Sequence, residues 1–204
     1  MIAKFLKLIY NILVHLIKII VRLRRQMFNF IIPNISVLLS KRISLTTYPT
    51  CDQKTLITGL GNVEIGKNCA FGYKPGGFYR RGTIEIQPRY PHAIIKIGDR
   101  IVTNNNVFIC AANRIEIGDY TLVGQYVTIM DFEAHGIPAD KRRELGIIGE
   151  VIIGKNVWIG NNVIILKDSH IGENSIVAAG AMVSGTFPEN VIIGGVPGKI
   201  IKSL

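Results

Sequence analysis

Four histidines, His15, His92, His135 and His170, are the side chains of this 204-residue chain best suited to exchange a proton near neutrality. A neutral imidazole, with an unperturbed pKa of about 6.5, can act as general base on a hydroxyl too weak to attack a carbonyl unaided. His15 falls in an amphipathic segment, His92 follows Pro91 in an irregular stretch, and His170 ends a repeat unit. His135 stands in a loop-like phrase, Asp131-Phe132-Glu133-Ala134-His135-Gly136. There Asp131 or Glu133 could orient the ring as a triad carboxylate does, or either could be a solvated loop charge. Cys51, Cys69 and Cys110 form no CxxC pair and have no His at metal-ligand spacing, so they read as small buried hydrophobes in a reducing, cytoplasmic setting, with no metal site. Phosphate-binding loops, dinucleotide fingerprints, zincin motifs and nucleophile elbows are absent from the sequence.

An internal repeat must position any such group. Ile153, Ile159, Ile165, Ile171, Val177 and Val183 are aliphatic residues at a spacing of six, and Gly154, Gly160 and Gly172 directly follow three of them. The phrase recurs as Ile65-Gly66, Ile97-Gly98 and Ile117-Gly118, then at Val123-Gly124 and Ile129. A period of six fits neither a helix face, which needs 3.6, nor one long strand, which needs two. It predicts short strands joined by tight corners, one aliphatic side chain inward per hexad, with Gly and Asn accepting the corner dihedrals. Three hexads make a triangular coil of a parallel β-helix, each coil burying its face on the next. A slip of register between Ile115 and Ile117 is expected as a bulged corner.

Residues 1–42 form a separate unit. Eight basic residues precede the first acid, Asp52, and account for most of the formal net charge of +10. The remainder is nearly balanced, which excludes a general nucleic-acid footprint. Lys4, Lys7, Asn11, His15, Lys18, Arg22 and Arg25 recur every three or four residues as one helical stripe. Ile2, Phe5, Leu6, Ile9, Ile12, Leu13, Leu16, Ile17, Ile20 and Val21 cover the rest. This predicts an amphipathic α-helix suited to an anionic membrane surface at the inner face of the cell membrane, or packed on its own domain. The uncharged stretch 26–40 could extend the anchor as far as Pro33.

The hexads, the phrase Asn156-Val157-Trp158-Ile159-Gly160, the run Ala178-Ala179-Gly180-Ala181 and the ending Gly194-Gly195-Val196-Pro197-Gly198-Lys199 resemble the hexapeptide-repeat acyltransferases, in particular the maltose, galactoside and nodulation-type O-acetyltransferases. The resemblance covers roughly Ile94 to Lys202 and implies an all-β left-handed parallel β-helix, a homotrimer with active sites between subunits, and acetyl-CoA as co-substrate; the β-helix domain is expected over residues 43–204. It makes His135 the general base in direct acyl transfer to a sugar or glycan hydroxyl. Asn104 and Asn106 match an Asn-x-Asn phrase near the acceptor, although Asn also serves as a corner residue. Asn161 and Ala179 match positions along the pantetheine arm, Ala179 through its backbone N–H. Ser184 and Gly185 match the next contact pair, where the family often has Thr-Lys, so a cation is missing at Gly185. Lys199 and Lys202 stand where relatives hold the CoA phosphates, and Trp158 is placed at the subunit or cofactor boundary.

Two excursions interrupt the repeat, near 73–92 and 131–150, the first with Tyr79, Arg80, Arg81, Arg89 and Tyr90 available to a glycan. The expected function is O-acetylation of a sugar in surface polysaccharide synthesis, O-antigen, capsule or exopolysaccharide. Its rivals are acylation of an amino sugar or other small molecule, and a non-catalytic β-helix scaffold.

Overall fold

The computed structural model describes residues 2–204; Met1 and the side chains of Ile2, Ala3 and Phe5 lie outside the described residues, Ile2 and Phe5 of the expected apolar face among them. From Ile43 onward the chain winds as a parallel β-helix with three faces. The first face stacks Ile43–Leu45, Asn62–Ile65, Ile94–Ile97, Arg114–Ile117 and Glu150–Ile153 in parallel register. The second stacks Thr50–Cys51, Ala70–Phe71, Val102–Thr103, Leu122–Val123, Trp158–Ile159, Ile176–Val177 and Val191–Gly194. The third stacks Thr55–Ile57, Ile84–Pro88, Phe108–Ala111 and Thr128–Met130. Ile164–Ile171 and Met182–Phe187 are longer strands that turn from the third face onto the first.

Each strand puts alternate residues inward, so the core takes two residues per hexad rather than the single one expected: Val151 with Ile153, Val157 with Ile159, Val163 with Ile165. The same alternation removes the expected slip at Ile115 and Ile117. Both point into the core from one unbroken strand, paired with Ile95 and Ile97 on one side and Val151 and Ile153 on the other. Each fully buried aliphatic side chain contributes about 1.5–3 kcal/mol.

The corners divide labour between Asn and Gly. Asn68, Asn156, Asn174 and Asn190 adopt left-handed φ values of 54° to 59° at the first corner, and Asn106 and Asn162 do so at the second. Gly118 meets a different demand, close approach, since a Cβ there would lie 2.6 Å from the Gly154 carbonyl carbon of the next coil.

Residues 2–39 are helical. Helix α1 (Ile2–Gln26) is followed by a π turn, Met27–Ile31, a 3-10 turn, Ile32–Asn34, and a short helix, Ile35–Leu39. Part of the uncharged stretch after α1 closes the open end of the solenoid: Phe30 is fully buried and packs with Val37 on the first coil, while Met27, Phe28, Ile32, Ile35 and Leu39 remain exposed. Asn34 caps that coil's free edge, donating to the carbonyls of Phe30 and Thr55 at 2.7 and 2.8 Å and accepting from the Ile57 N–H at 2.6 Å. The first excursion is also shorter than expected, because Ile84–Pro88 forms a regular strand of the third face. It covers residues 72–83.

Candidate active site

Between Met130 and Glu150 the chain leaves the corner that joins the third face to the first, and folds back on itself. Glu133 N–H donates to the Ile147 carbonyl at 2.9 Å, Gly146 N–H to the Glu133 carbonyl at 3.0 Å, and Gly136 N–H to the Glu144 carbonyl at 2.9 Å. Asp131 anchors the base. Fully buried, it accepts from the N–H groups of Ala112, Asn113 and Arg114 at 2.6, 2.9 and 2.6 Å. Burial pushes its carboxyl up from the usual range, against the pull of those donors. Glu133 accepts from the Ile147 N–H at 3.3 Å and faces Lys167 at 3.6 Å.

His135 is exposed on this loop, with Nδ1 2.8 Å from the carbonyl oxygen of Arg142. A carbonyl can only accept, so the neutral ring carries its proton on Nδ1 and leaves the Nε2 lone pair for a substrate proton. The orienting role expected of Asp131 or Glu133 thus falls to a main-chain carbonyl, because both carboxylates are committed to holding the loop.

A groove of about 270 Å³ opens on the second face and the corner that follows it, lined by Tyr73, Asn104, Leu122, Trp158 and Asn161 among others. Val102, Leu122 and Trp158 stack outward in register and are exposed, Trp158 by 56%. Asn161 and Ala179 occupy the same position in successive coils: Asn161 accepts from Gly180 N–H at 2.9 Å, and its side-chain oxygen accepts from Gln125 N–H at 2.8 Å. Ala179 is exposed, and among the described residues no acceptor takes its N–H. Lys199 and Lys202 are exposed on the last strand, Lys199–Ser203, which runs antiparallel to Val191–Gly194 on this face.

Other expected residues lie elsewhere. Asn106 is a corner residue at φ 59°, locked to buried Gln53 through its main-chain N–H at 2.7 Å and its side chain at 3.1 Å. Ser184 and Gly185 sit at the corner of the His135 loop, where Ser184 Oγ donates to the Lys167 carbonyl at 3.4 Å. Sequence reasoning passed over Asn105, which is buried and pins the 72–83 excursion by bonds to Tyr73 and Gly77 at 2.9 to 3.0 Å. The unbroken run Asn104-Asn105-Asn106 was its signal. One chain therefore places these candidate residues in two groups, candidate half-sites at different corners: His135 with Ser184 and Gly185 at one, and Asn104, Asn161 and Ala179 at the other, with the third face between them.

Coils of this register, each with Gly and Asn at the turns, match a described family over residues 150–185, the bacterial transferase hexapeptide (six repeats). The chain carries that repeat. Among curated proteins, one similar to this chain is a putative lipopolysaccharide biosynthesis O-acetyl transferase, WbbJ, of Escherichia coli, 35% identical over 125 residues, covering 55% of this chain and 62% of its own. A galactoside O-acetyltransferase of Lactococcus lactis is 33% identical over 142 residues, covering 69% and 63%. This chain thus spans less than two thirds of either relative. Among solved structures, a hexapeptide-repeat acetyltransferase of Vibrio cholerae complexed with acetyl coenzyme A is similar at 28% identity and a TM-score of 0.51, covering 74% of this chain and 70% of that one.

Proposed function

We propose that this protein is an acetyl-CoA-dependent O-acetyltransferase acting on a sugar hydroxyl, with His135 as general base. The observation that carries the reading is the Nδ1 bond to the Arg142 carbonyl, which sets the tautomer that a base needs. Nε2 takes the hydroxyl proton as the sugar oxygen attacks the thioester carbonyl. The C–S bond then breaks, and the imidazolium returns the proton to the departing thiolate. No acyl-enzyme is required.

In this reading the groove takes a pantetheine arm along an apolar row of Leu122 and Trp158, with a main-chain donor at Ala179 one coil beyond Asn161, and Lys199 and Lys202 on the last strand for phosphates. Because the two half-sites lie at different corners, the reading requires copies of the chain to be arranged so that one supplies His135 and its neighbour the groove. A homotrimer of left-handed coils satisfies this, and it would cover the exposed row of Val102, Leu122 and Trp158. The similarity to WbbJ supports an acceptor in surface polysaccharide synthesis.

The test is thiol release from acetyl-CoA over a panel of sugar acceptors, comparing wild type with His135→Ala and checking folding and assembly state in parallel. Loss of a general base lowers turnover by a factor of about 10² to 10⁴. Acceptor-independent release, or an N-acylated product alone, overturns O-transfer.

A further inference from the structure

Helix α1 stands away from the solenoid. From Leu6 to Leu23 its large apolar side chains are exposed, and it meets the body near its end, where Arg25 pairs with Asp52 and Arg22 and Gln26 lie against Pro49 and Thr50. Placed at 3.6 residues per turn, Lys4, Lys7, Lys18, Arg22 and Arg25 fall in a sector of roughly 60°, and the large apolar residues from Leu6 to Leu23 cover about 220° of the remainder, with Arg24 the one cation on that side. The Arg25 pair turns the narrow cationic sector toward the solenoid, so the apolar face looks outward.

At the foot of α1, a pocket of about 410 Å³ opens between the helix and the 72–83 excursion. Arg24, Phe28, Lys74 and Tyr79 line it with Val21 and Asn29, and no acid is among the lining residues. Arg24 lies over the Phe28 ring at 5.9 Å, and Asn29 is held by its bonds to the carbonyls of Cys51 and Asp52. Among the described residues, Arg25 alone of the cations in α1 has a carboxylate partner.

We propose that α1 and the 72–83 excursion form one docking surface for an anionic lipid bilayer, with a lipid phosphate group entering the Arg24–Lys74 pocket. Two features favour a bilayer over a second copy of the chain. A seam between helices covers a stripe of about 100°, which would leave most of this apolar face in water, whereas the bilayer interface takes a wide face whole. Uncompensated cations along the helix are complementary to acidic head groups. If the acetyl-transfer reading holds, the surface also explains acceptor delivery: Lys74 lines the lipid pocket while its neighbour Tyr73 lines the groove of Asn104 and Trp158.

The experiment is co-sedimentation of the full chain with vesicles of phosphatidylcholine alone, or with about a third phosphatidylglycerol, at low and physiological salt. Wild type should sediment with the acidic vesicles and far less with neutral ones. Ile9→Glu with Leu16→Glu, opposite the cationic stripe, should leave the protein in the supernatant with its assembly state unchanged. Arg24→Ala with Lys74→Ala should weaken binding roughly tenfold or more, from the loss of two charges at the surface. Wild type remaining in the supernatant with both vesicles, or binding both equally, overturns the proposal. So does disassembly of the Ile9/Leu16 variant, which would make α1 a subunit seam, and undiminished binding by the Arg24/Lys74 variant removes the pocket. Thiol release toward a soluble sugar, measured on the same proteins, separates a failure of docking from a failure of the acetyl-transfer reading.

Discussion

His135 takes its orientation from the main-chain carbonyl of Arg142, 2.8 Å from Nδ1, and not from a carboxylate side chain. A carbonyl partner is only as well placed as the loop that carries it, and Glu133 braces that loop against Ile147 N–H and Lys167. Removing the brace should misplace the ring without deleting it. Misplacement of about 1 Å can cost up to 10² in rate. Glu133→Ala is therefore expected to lower kcat by roughly tenfold while the KM for acetyl-CoA stays near wild type, a smaller loss than His135→Ala. A kcat fall equal to that of His135→Ala would instead give Glu133 a direct part in the chemistry.

Division of the site between corners predicts complementation. His135→Ala lacks the base, and Asn104→Trp fills the groove beside Tyr73 and Trp158. Each alone should be inactive. Mixed in equal amounts and reassembled, the two chains form interfaces of which about a quarter join an intact His135 to an intact groove, the proportion set by random mixing around a cyclic assembly. Activity recovery near that fraction is the expected reading; none at all would mean that each chain's site is its own.

Periodicity reveals the solenoid because every coil repeats one physical demand, an aliphatic residue inward and an open corner beside it, as Ile153 to Val183 show. It is silent on what happens once. Asn34 and Phe30 close the end of the coil by a packing outside the hexad pattern, so the capping role of an uncharged segment is invisible until its partners are seen. Similarly, Asp131 precedes the candidate base by four residues and looks like a triad acid, yet it serves three main-chain donors of the preceding strand. The exposed loop position of His135 was legible from the phrase around it. Its tautomer was not, because the partner is a backbone atom whose identity the local sequence does not encode.

The end cap gives a stability prediction. Asn34 satisfies the Phe30 carbonyl of its own turn and the Thr55 carbonyl and Ile57 N–H at the first coil's edge, all of them in buried residues. In Asn34→Leu those groups lose their partners while the volume is retained. Leaving buried polar groups unpaired costs about 1–3 kcal/mol each, so a loss of roughly 3 kcal/mol is expected in urea unfolding. Ile159→Ala, deep in the middle coils, should cost about 2–5 kcal/mol through its cavity. The two should differ in cooperativity: local fraying of the first coil accompanies the cap variant, visible as faster amide exchange around Thr55–Ile57, whereas Ile159→Ala weakens the whole domain. Identical exchange patterns would refute the capping role.

Buried thiols make stability sensitive to alkali. Burial pushes Cys51 from its ordinary value of 9.0 to about 12, and Cys110 to about 11, and all three cysteines are buried. Between the unfolded and folded values the native chain holds protons that the unfolded chain has released, so stability must fall as pH rises through that window. Their contribution is complete below about pH 9 and is lost progressively toward pH 11 to 12. Melting temperature should accordingly decline above pH 9 in wild type, and decline less steeply in Cys51→Ala. The same burial leaves no thiolate for alkylation, so iodoacetamide at pH 8 should label the native protein slowly and the urea-unfolded protein rapidly at all three cysteines. Rapid native labelling of Cys51 would show that the junction between the end cap and the first coil opens in solution.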